Sequence, residues 1–501
     1  MKPVPTMINR RGALAAALAL PVGWATLSSQ SARAAPGVDE PPLPQAPRPL
    51  LLPTLAQHTL DNGLTLVVAP RERLPVVSLT LLVRAGPEVD PAGQPGVAAM
   101  TAALWPKGAT RGGRRVGAAE LARQAEALGG ALDANSSWGA STLTMTVTTQ
   151  RTDEALALLV DVLRHPLLAA DELERVRAQA LDGLRVTLGN PGEVAALALR
   201  RSFWGDVPHG RVAPPAAVQR LQRQHLLAFQ AQWVRPDRVA LVLVGDITPE
   251  QGRALAQRLL GDWRAPANAL SAPTLAQAAP ASLASALVLI DMPGSGQSGV
   301  AVAAPFVAST ATDRRIGLVA NAVLGGGYSA RLNQEVRIKR GLSYGAFSSA
   351  EAFAGGGMVS AQTQTNHPTA AQVLQLLRGE ITRLADAPPA ADELAARQAT
   401  LIGSFGRRLE TTAGLSALVV GQLVNGRPLA DLAAHVPEIA AVTPAQVQAF
   451  ARTHWAASAL RAVVVGDLAA AGDSLAALAP QALRLTMAEL DLERAGLRKP
   501  A

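Results

Sequence analysis

An internal repeat constrains this chain more than any other feature of its sequence. The apolar segment LVLVGD at 241–246 is echoed by AVVVGD at 462–467. Two further segments match in the same order, namely HLLAF at 225–229 with QVQAF at 446–450, and DELE at 171–174 with DELA at 392–395. Self-similarity at a long period indicates a duplicated structural unit. The sequence therefore predicts an α+β (α/β) protein of two homologous lobes, each a mixed β-sheet with helices packed on it.

The predicted lobes occupy residues 55–264 and 286–485, and a short tail follows at 486–501. Between them, residues 265–285 are rich in Ala and Pro and show no periodicity, which is typical of a linker. A Pro-rich lead at 35–54 precedes the first lobe.

Residues 1–34 have the pattern of a secretory signal peptide. Arg10 and Arg11 precede an apolar run, and Ala32-Arg33-Ala34 provides a small-x-small cleavage site. The pattern predicts export to the periplasm, and the arginine pair is compatible with the twin-arginine route.

Composition excludes several classes of protein. With 49% hydrophobic residues the chain can form large cores, which excludes a disordered protein. The net charge of +8 is scattered, and no run of like charges predicts a nucleic-acid partner. The densest basic patch, Arg111, Arg114 and Arg115, is interpreted as a solvated Gly-rich loop. The absence of Cys excludes disulfides and thiolate metal sites, and no apolar run beyond the signal peptide is long enough to predict stable membrane insertion.

The histidines exclude one common type of metal site. The chain has seven, at positions 58, 165, 209, 225, 367, 435 and 454, and no two are three or four residues apart. A helix-borne metal pair needs that spacing, because only residues one turn apart share a helix face. No helix of this chain can therefore carry such a pair.

The segment GVAAMTAALWPKGA at 96–109 resembles the zinc-motif region of the pitrilysin (insulinase) family of zinc metallopeptidases. Active members carry H-x-x-E-H in this frame, with two zinc-binding His and a Glu that activates water. By that resemblance Ala99 and Ala103 replace the two His, and Ala102 replaces the Glu. The third ligand, a Glu on a later helix, falls near Gly183. The resemblance implies a degenerate zinc motif, with no metal bound by this chain.

The segment LGGGYSARLNQEVRIKRGLSY at 324–344 is similar to the family's C-terminal signature. The resemblance implies that Arg337 and Tyr344 face the zinc of an active site, and that Gly325, Gly326 and Gly327 form a substrate loop. Simpler interpretations remain open: Arg337 as a solvated helix charge, Tyr344 as a strand aromatic at a core edge, and the glycines as a flexible loop before a helix capped by Ser329.

Together the two segments imply a non-catalytic subunit of a heterodimeric zinc metallopeptidase. Its partner would be a homologous subunit that carries the zinc, and its substrates would be unfolded peptides. The segment 133–138 lies where active relatives shape the substrate edge.

The alternatives are a peptide-binding or scaffold protein of the same fold and an independent hydrolase. The run GSGQSG at 294–299 does not match the G-x-S-x-G motif of serine hydrolases, and it is interpreted as the turn that opens the first strand of the second half.

Overall fold

A computed structural model describes residues 51–267, 270, 285–478 and 480–500. The predicted signal peptide lies outside the described residues, as do most of the predicted lead and linker. Within the described ranges, no helix has the combination of length and apolar character that crossing a membrane requires.

The first lobe contains eight strands and eight helices. The strands are β1 Ala56–Thr59, β2 Thr65–Pro70, β3 Val76–Val83, β4 Gly108–Arg111, β5 Arg114–Gly117, β6 Asp133–Ser137, β7 Ala140–Thr148 and β8 Val239–Gly245. The helices are α1 Val97–Leu104, α2 Ala118–Ala127, α3 Thr152–Arg164, α4 Ala170–Leu188, α5 Pro191–Trp204, α6 Pro215–Arg220, α7 Arg223–Trp233 and α8 Pro249–Leu260.

The second lobe follows a similar order. Its strands are β9 Leu287–Asp291, β10 Ser298–Phe306, β11 Phe347–Phe353, β12 Gly356–Thr365, β13 Arg461–Gly466 and β14 Leu483–Thr486. Its helices are α9 Arg314–Gly325, α10 Arg331–Asn333, α11 Ala370–Asp386, α12 Ala391–Leu409, α13 Thr412–Val424, α14 Asp431–Ala440, α15 Pro444–His454, α16 Leu468–Ala471 and α17 Asp473–Leu478. A π-helical turn, Gln334–Ile338, continues from α10.

The two six-stranded sheets have corresponding topologies. From the edge strand inward, the first sheet runs β6-β7-β3-β8-β2 and the second runs β11-β12-β10-β13-β9. The pairings also agree: β3 with β8 and β10 with β13 are antiparallel, whereas β2 with β8 and β13 with β9 are parallel. The predicted fold, two homologous lobes with mixed sheets, is confirmed.

The sixth strand breaks the correspondence. In the first sheet β1 pairs antiparallel with β2, through the hairpin turned by Asn62 and Gly63. In the second sheet β14, from the end of the chain, pairs parallel with β9. A hairpin connects only antiparallel strands, so a parallel edge strand must come from a distant segment.

Continuous apolar strands such as β8 and β13 are buried on both faces. On β13, Ala462 and Val464 face the helices of their own lobe, while Val463 and Val465 face α5 of the other lobe. Successive side chains of a strand point to opposite faces, which explains why these strands show no polar alternation.

One helix of each lobe packs on the sheet of the other lobe. Helix α5 of the first lobe lies on β10 and β13, whereas α13 of the second lobe lies on β3 and β8. The backbone of α5 comes so close to β10 that a Cβ on Gly299 would lie 2.4 Å from the Pro191 carbonyl oxygen. The lobes are therefore joined by two reciprocal helix contacts as well as by the chain connection.

Two sequence interpretations need correction. The run at 294–299 does not open the first strand of the second half, because β9 precedes it; it leads into β10. The basic patch is not a loop: Arg111 and Arg114 face each other in the β4–β5 hairpin, whose turn is formed by Gly112 and Gly113 at positive φ. Two adjacent glycines tolerate the left-handed backbone that such a tight turn requires.

Candidate functional site

Helix α1 carries the segment that resembles a zinc motif, and a buried carboxylate fixes its start. Asp90 accepts hydrogen bonds from the backbone N–H of Gly96 at 2.6 Å and of Ala98 at 2.9 Å. Burial raises the pKa of Asp90 to about 7, although both N–H groups favour its charged form. These bonds satisfy backbone donors that have no partner within the helix.

The three alanines of the degenerate motif do not share one environment. Ala99 is exposed and Ala103 half-buried, one turn apart on the accessible face of α1, whereas Ala102 is only 1% exposed. The helix thus presents the two His-equivalent positions side by side, but methyl groups offer no lone pair to a metal. Zinc does not fit the residues that stand here.

The position proposed for the third ligand is also empty of ligating groups. Gly183 on α4 is exposed, and a Cβ there would meet no heavy atom within 4 Å. Its neighbours Ala180 and Leu184 pack against the hydrophobic core of the first lobe. Across the described part of the chain, no three His, Cys, Asp or Glu side chains are grouped as they would need to be to hold a metal ion.

In the second lobe, Arg337 lies between two aromatic rings. Its guanidinium carbon is 4.7 Å from the ring centroid of Tyr344 and 5.0 Å from that of Tyr328. The Tyr344 side chain is 90% exposed and precedes β11, so it is not a strand aromatic at a core edge. Cation–π attraction restrains the guanidinium without using its N–H donors.

A π-helical turn carries Arg337. The Lys339 N–H donates to the Gln334 carbonyl at 2.9 Å, five residues back, in place of the usual α-helical bond. The helix then stops at Gly341, which has φ +62°, and Leu342 N–H bonds back to the Val336 carbonyl. Single π-helical turns are rare and occur often at functional sites.

Buried polar groups hold the segments on either side of Arg337. The Asn333 side chain, fully buried, donates to the Tyr328 carbonyl at 2.6 Å and accepts from the Ala346 N–H at 3.2 Å. On β12, Thr365 and Thr363 donate to the carbonyls of Leu342 and Gly345, both at 2.6 Å. The backbone on both sides of Tyr344 is therefore fixed although its ring is exposed.

Sequence reasoning missed Tyr328 and Asn333. The signal for Asn333 was available, because it lies beside Leu332 and one turn before Val336, both of which are buried. A polar residue next to core positions must find partners, and such partners fix the neighbouring backbone.

The predicted substrate loop is closely packed at its start. A Cβ on Gly325 would lie 2.5 Å from the Ser348 nitrogen, and one on Gly326 would lie 2.7 Å from the Ala322 Cα. The buried Arg397 then holds Ser329 through its hydroxyl at 3.0 Å and its carbonyl at 2.6 Å. Gly327 faces open space except for this arginine. The predicted loop is thus shorter than expected: Gly325 ends α9, and Gly326 and Gly327 continue from it as a fixed loop beside β11.

Both sheets end in a strand whose outer edge is unpaired within the described residues. These are β6 in the first lobe, next to α1, and β11 in the second, next to α9 and the glycine loop. Strand β6 forms most of the segment 133–138, and its residues are exposed or half-buried. An unpaired edge can pair with an extended peptide through main-chain hydrogen bonds.

An aromatic cluster joins the two edges. It contains His209, 2% exposed, with Trp138, Trp204 and Phe353, whose ring centroids lie 4.3 to 5.1 Å from that of the histidine. Burial, with a smaller effect of Arg200, lowers the pKa of His209 to about 4. Its Nδ1 has no hydrogen-bond partner in the described part of the structure, so this histidine is a neutral packing residue at neutral pH.

Comparison with known proteins places both lobes in one family. Residues 66–211 match the model of the insulinase family (peptidase family M16), and residues 220–401 match the model described as the peptidase M16 inactive domain. An uncharacterized zinc protease of Streptomyces coelicolor is 26% identical over 68% of this chain and 75% of its own length. A Helicobacter pylori protein named non-peptidase homolog YmxG is 22% identical over 79% of this chain and 90% of its own.

Solved structures show the same fold. A peptidase M16 inactive domain from Pseudomonas fluorescens superposes with a TM-score of 0.76 at 24% identity, over 82% of this chain and 98% of that one. The structure titled as a protease from Helicobacter pylori also gives 0.76, at 19% identity, over 83% and 100%.

Proposed function

Because this chain belongs to the insulinase (peptidase M16) family, we propose that it is the non-catalytic subunit of a heterodimeric zinc metallopeptidase of the periplasm. A homologous partner subunit brings the zinc. This subunit contributes the wall of the substrate chamber and two hydrogen-bond donors, Arg337 and Tyr344. The substrates are unfolded peptides.

One contrast supports the proposal most strongly. Ala99 and Ala103 occupy the accessible face of α1, where no metal can bind, whereas Arg337 is kept in place between Tyr328 and Tyr344. A chain with no use for catalytic chemistry has no evident need for an exposed Arg–Tyr arrangement fastened by a buried Asn333. The arrangement suits a chain whose donors act on a centre held by another molecule.

The two side chains suit distinct tasks. The guanidinium of Arg337 offers several N–H groups in a fixed plane and can hold a substrate carbonyl. The phenol of Tyr344, 90% exposed, can donate to the oxygen on which negative charge develops during peptide-bond attack. Neither group can hydrolyse a peptide bond alone.

The unpaired edge of β11 gives a route for the substrate. It lies beside Tyr344 and the glycine loop, so a peptide added along this edge would pass next to the two donors. Recognition through main-chain hydrogen bonds tolerates varied side chains and requires an extended, unfolded segment.

Co-purification tests the partnership. We expect the tagged chain, expressed in its native host, to retain a homologous chain with an intact H-x-x-E-H motif, and the complex to contain zinc in proportion to that chain. If the chain purified alone bound stoichiometric zinc and cleaved an unstructured peptide in a chelator-sensitive way, the proposal would be wrong. If it bound peptides with no such partner, the scaffold alternative would be favoured instead.

Two substitutions test the donors in the assembled complex. Arg337→Ala and Tyr344→Phe should each lower kcat about 100-fold, the usual cost of losing an oxyanion donor, while assembly is unchanged. Arg340→Ala, on the same segment but paired with Glu335, and Tyr328→Phe, which keeps its ring on Arg337, are the matched controls. Unchanged turnover in both donor variants would reduce Arg337 and Tyr344 to structural residues.

A further inference from the structure

A cavity in the second lobe has a strongly cationic lining. It encloses about 350 Å³ between the start of α9, the end of α12, and helices α13 and α14. Arg314, Arg315, Arg408 and Arg427 line it, with Asp431 as the only lining carboxylate in the described structure. Helix α9 begins here and ends at Gly325, so its length of roughly 18 Å separates the cavity from the glycine loop.

Only two of the four arginines have a carboxylate partner within the described residues. Arg315 pairs with Glu438 and also donates to the Asp431 carbonyl at 2.8 Å, and Arg427 pairs with the Asp431 carboxylate at 2.9 Å. Arg314 and Arg408 form no ion pair there, and the buried Nε of Arg315 has no hydrogen-bond partner. The cavity lining therefore carries positive charge that is not neutralised within the described residues, and it has N–H donors that remain available.

The helix geometry adds to this excess. Arg314 and Arg315 are the first two residues of α9, where the helix dipole already places partial positive charge. Burial, together with Arg427 and Arg315, lowers the pKa of Arg314 to about 10. Cations at this position are destabilising unless an anion accompanies them.

His435 completes the lining without adding charge. Burial and the four arginines lower its pKa to about 4, so it is neutral at pH 7. Its ring stacks on Phe405 with centroids 4.3 Å apart. The cavity lining therefore combines guanidinium donors with the stacked rings of Phe405 and His435.

We propose that this cavity binds a small phosphate-bearing anion, held by Arg314 and Arg408 together with the spare donors of Arg315. A phosphate group carries up to two negative charges, which would balance the two unpaired guanidiniums, and its oxygens match their planar forks. The volume admits inorganic phosphate, pyrophosphate or the phosphate end of a nucleotide. This inference does not depend on the proposed peptidase role.

Binding to the purified chain tests the site. In a chloride buffer of constant ionic strength at pH 7, we expect saturable binding of pyrophosphate by calorimetry and a rise in Tm, with weaker binding of inorganic phosphate. ADP distinguishes a nucleotide ligand from a simple phosphate ligand. If ADP binds more tightly than pyrophosphate, the site recognises a nucleotide; if the two bind equally well, the site recognises the phosphate groups alone. Absence of saturable binding for all three anions up to about 10 mM, ten times a Kd of 1 mM, would overturn the proposal.

Substitutions locate the site. Arg314→Gln and Arg408→Gln should each weaken pyrophosphate binding about 10-fold or more, whereas Arg407→Gln should leave it unchanged. Arg407 is a suitable control because it lies on the last turn of α12 next to Arg408, outside the cavity lining. Without phosphate, Arg314→Gln should raise Tm, because it removes an uncompensated charge. Equal loss of binding in the Arg407 variant would show that only general surface charge is involved.

Discussion

The two halves of the chain share five strand positions but differ where the edge strand meets its neighbouring helix. In the first half, α1 turns Ala99 and Ala103 toward solvent beside β6. In the second, Arg337 lies between two tyrosines, one of which, Tyr344, precedes β11. Alanine is the best helix former, so alanines at the positions that the family resemblance assigns to metal ligands cost α1 no helical stability. The fold of a lobe therefore does not require metal-binding side chains at these positions.

One buried polar residue near each of these two sites shows a related difference. In α1 the hydroxyl of the buried Thr101 has no hydrogen-bond partner in the described structure. In the second half the buried Asn333 is bonded through both its amide nitrogen and its oxygen. A satisfied buried polar group specifies the position of its neighbours, whereas an unsatisfied one only costs stability. Of these two sites, the one at Asn333 is thus the more precisely positioned.

The two exchanged helices differ as well. Helix α13 reaches the first sheet partly through hydroxyl pairs, Ser78 with Thr412 at 2.7 Å and Thr80 with Ser416 at 3.0 Å. Helix α5 covers the second sheet with apolar side chains and ends at Trp204 in the aromatic cluster around His209. The α5 contact therefore contains a buried histidine.

The largest expected effect concerns His209. Its pKa is about 4 in the folded protein against 6.5 when exposed, so the unfolded chain takes up a proton first as the pH falls. Neutral His209 makes its full contribution to the free energy of unfolding above pH 6.5. As the pH falls toward 4 this contribution is lost, and the total loss is about 3 kcal/mol. His209→Phe should remove this part of the pH dependence, measured by urea unfolding at pH 7 and pH 4.

The control for this prediction is His58→Phe, an exposed histidine on β1 outside the cluster. It should leave the pH profile unchanged. A wild-type profile that His209→Phe does not alter would mean that the α5 contact carries no pH sensitivity.

A second prediction tests whether α1 still presents a metal-binding face. In Ala99→His/Ala103→His the two imidazoles stand one turn apart on the accessible side, so zinc should stabilise the variant. Free zinc at 100 times the Kd would add about 2.7 kcal/mol. Thermal unfolding with zinc and with chelator measures the difference.

The matched control places the same pair on the buried side, as Ala98→His/Ala102→His. Both positions are buried, so zinc should give no stabilisation and the substitutions alone should destabilise. If neither variant responded to zinc, the first half would have lost the geometry of the motif as well as its ligands.

The smallest effects come from the two buried polar residues compared above, Asn333 and Thr101. Asn333→Ala should cost about 2 kcal/mol, because it leaves the Tyr328 carbonyl and the Ala346 N–H without their partner. Thr101→Val keeps the shape and removes an unpaired hydroxyl, so it should stabilise by about 1 kcal/mol. Urea unfolding of both variants measures the two signs. Destabilisation by Thr101→Val would show that the two halves use their buried polar residues alike.

Much of the fold could be predicted from the sequence because the signals are local. The repeated apolar segments at 241–246 and 462–467 lie on equivalent strands, β8 and β13. The family resemblance in the sequence also singled out Ala99, Ala102, Ala103, Arg337 and Tyr344 as candidate positions, and their roles stay a prediction. It could not show that Tyr328 would share the guanidinium, since that contact depends on how the glycine loop folds back toward the π-helical turn.

The sequence by itself determined the duplicated α/β plan and the absence of a histidine pair at helical spacing, because periodicity and residue spacing are properties of the chain alone. Only the tertiary structure decided that α5 and α13 cross to opposite sheets, that His209 is buried among aromatic rings, and that four arginines surround one cavity. These features join residues far apart in the chain. Their energies come from burial and from proximity between charges, which no local pattern specifies.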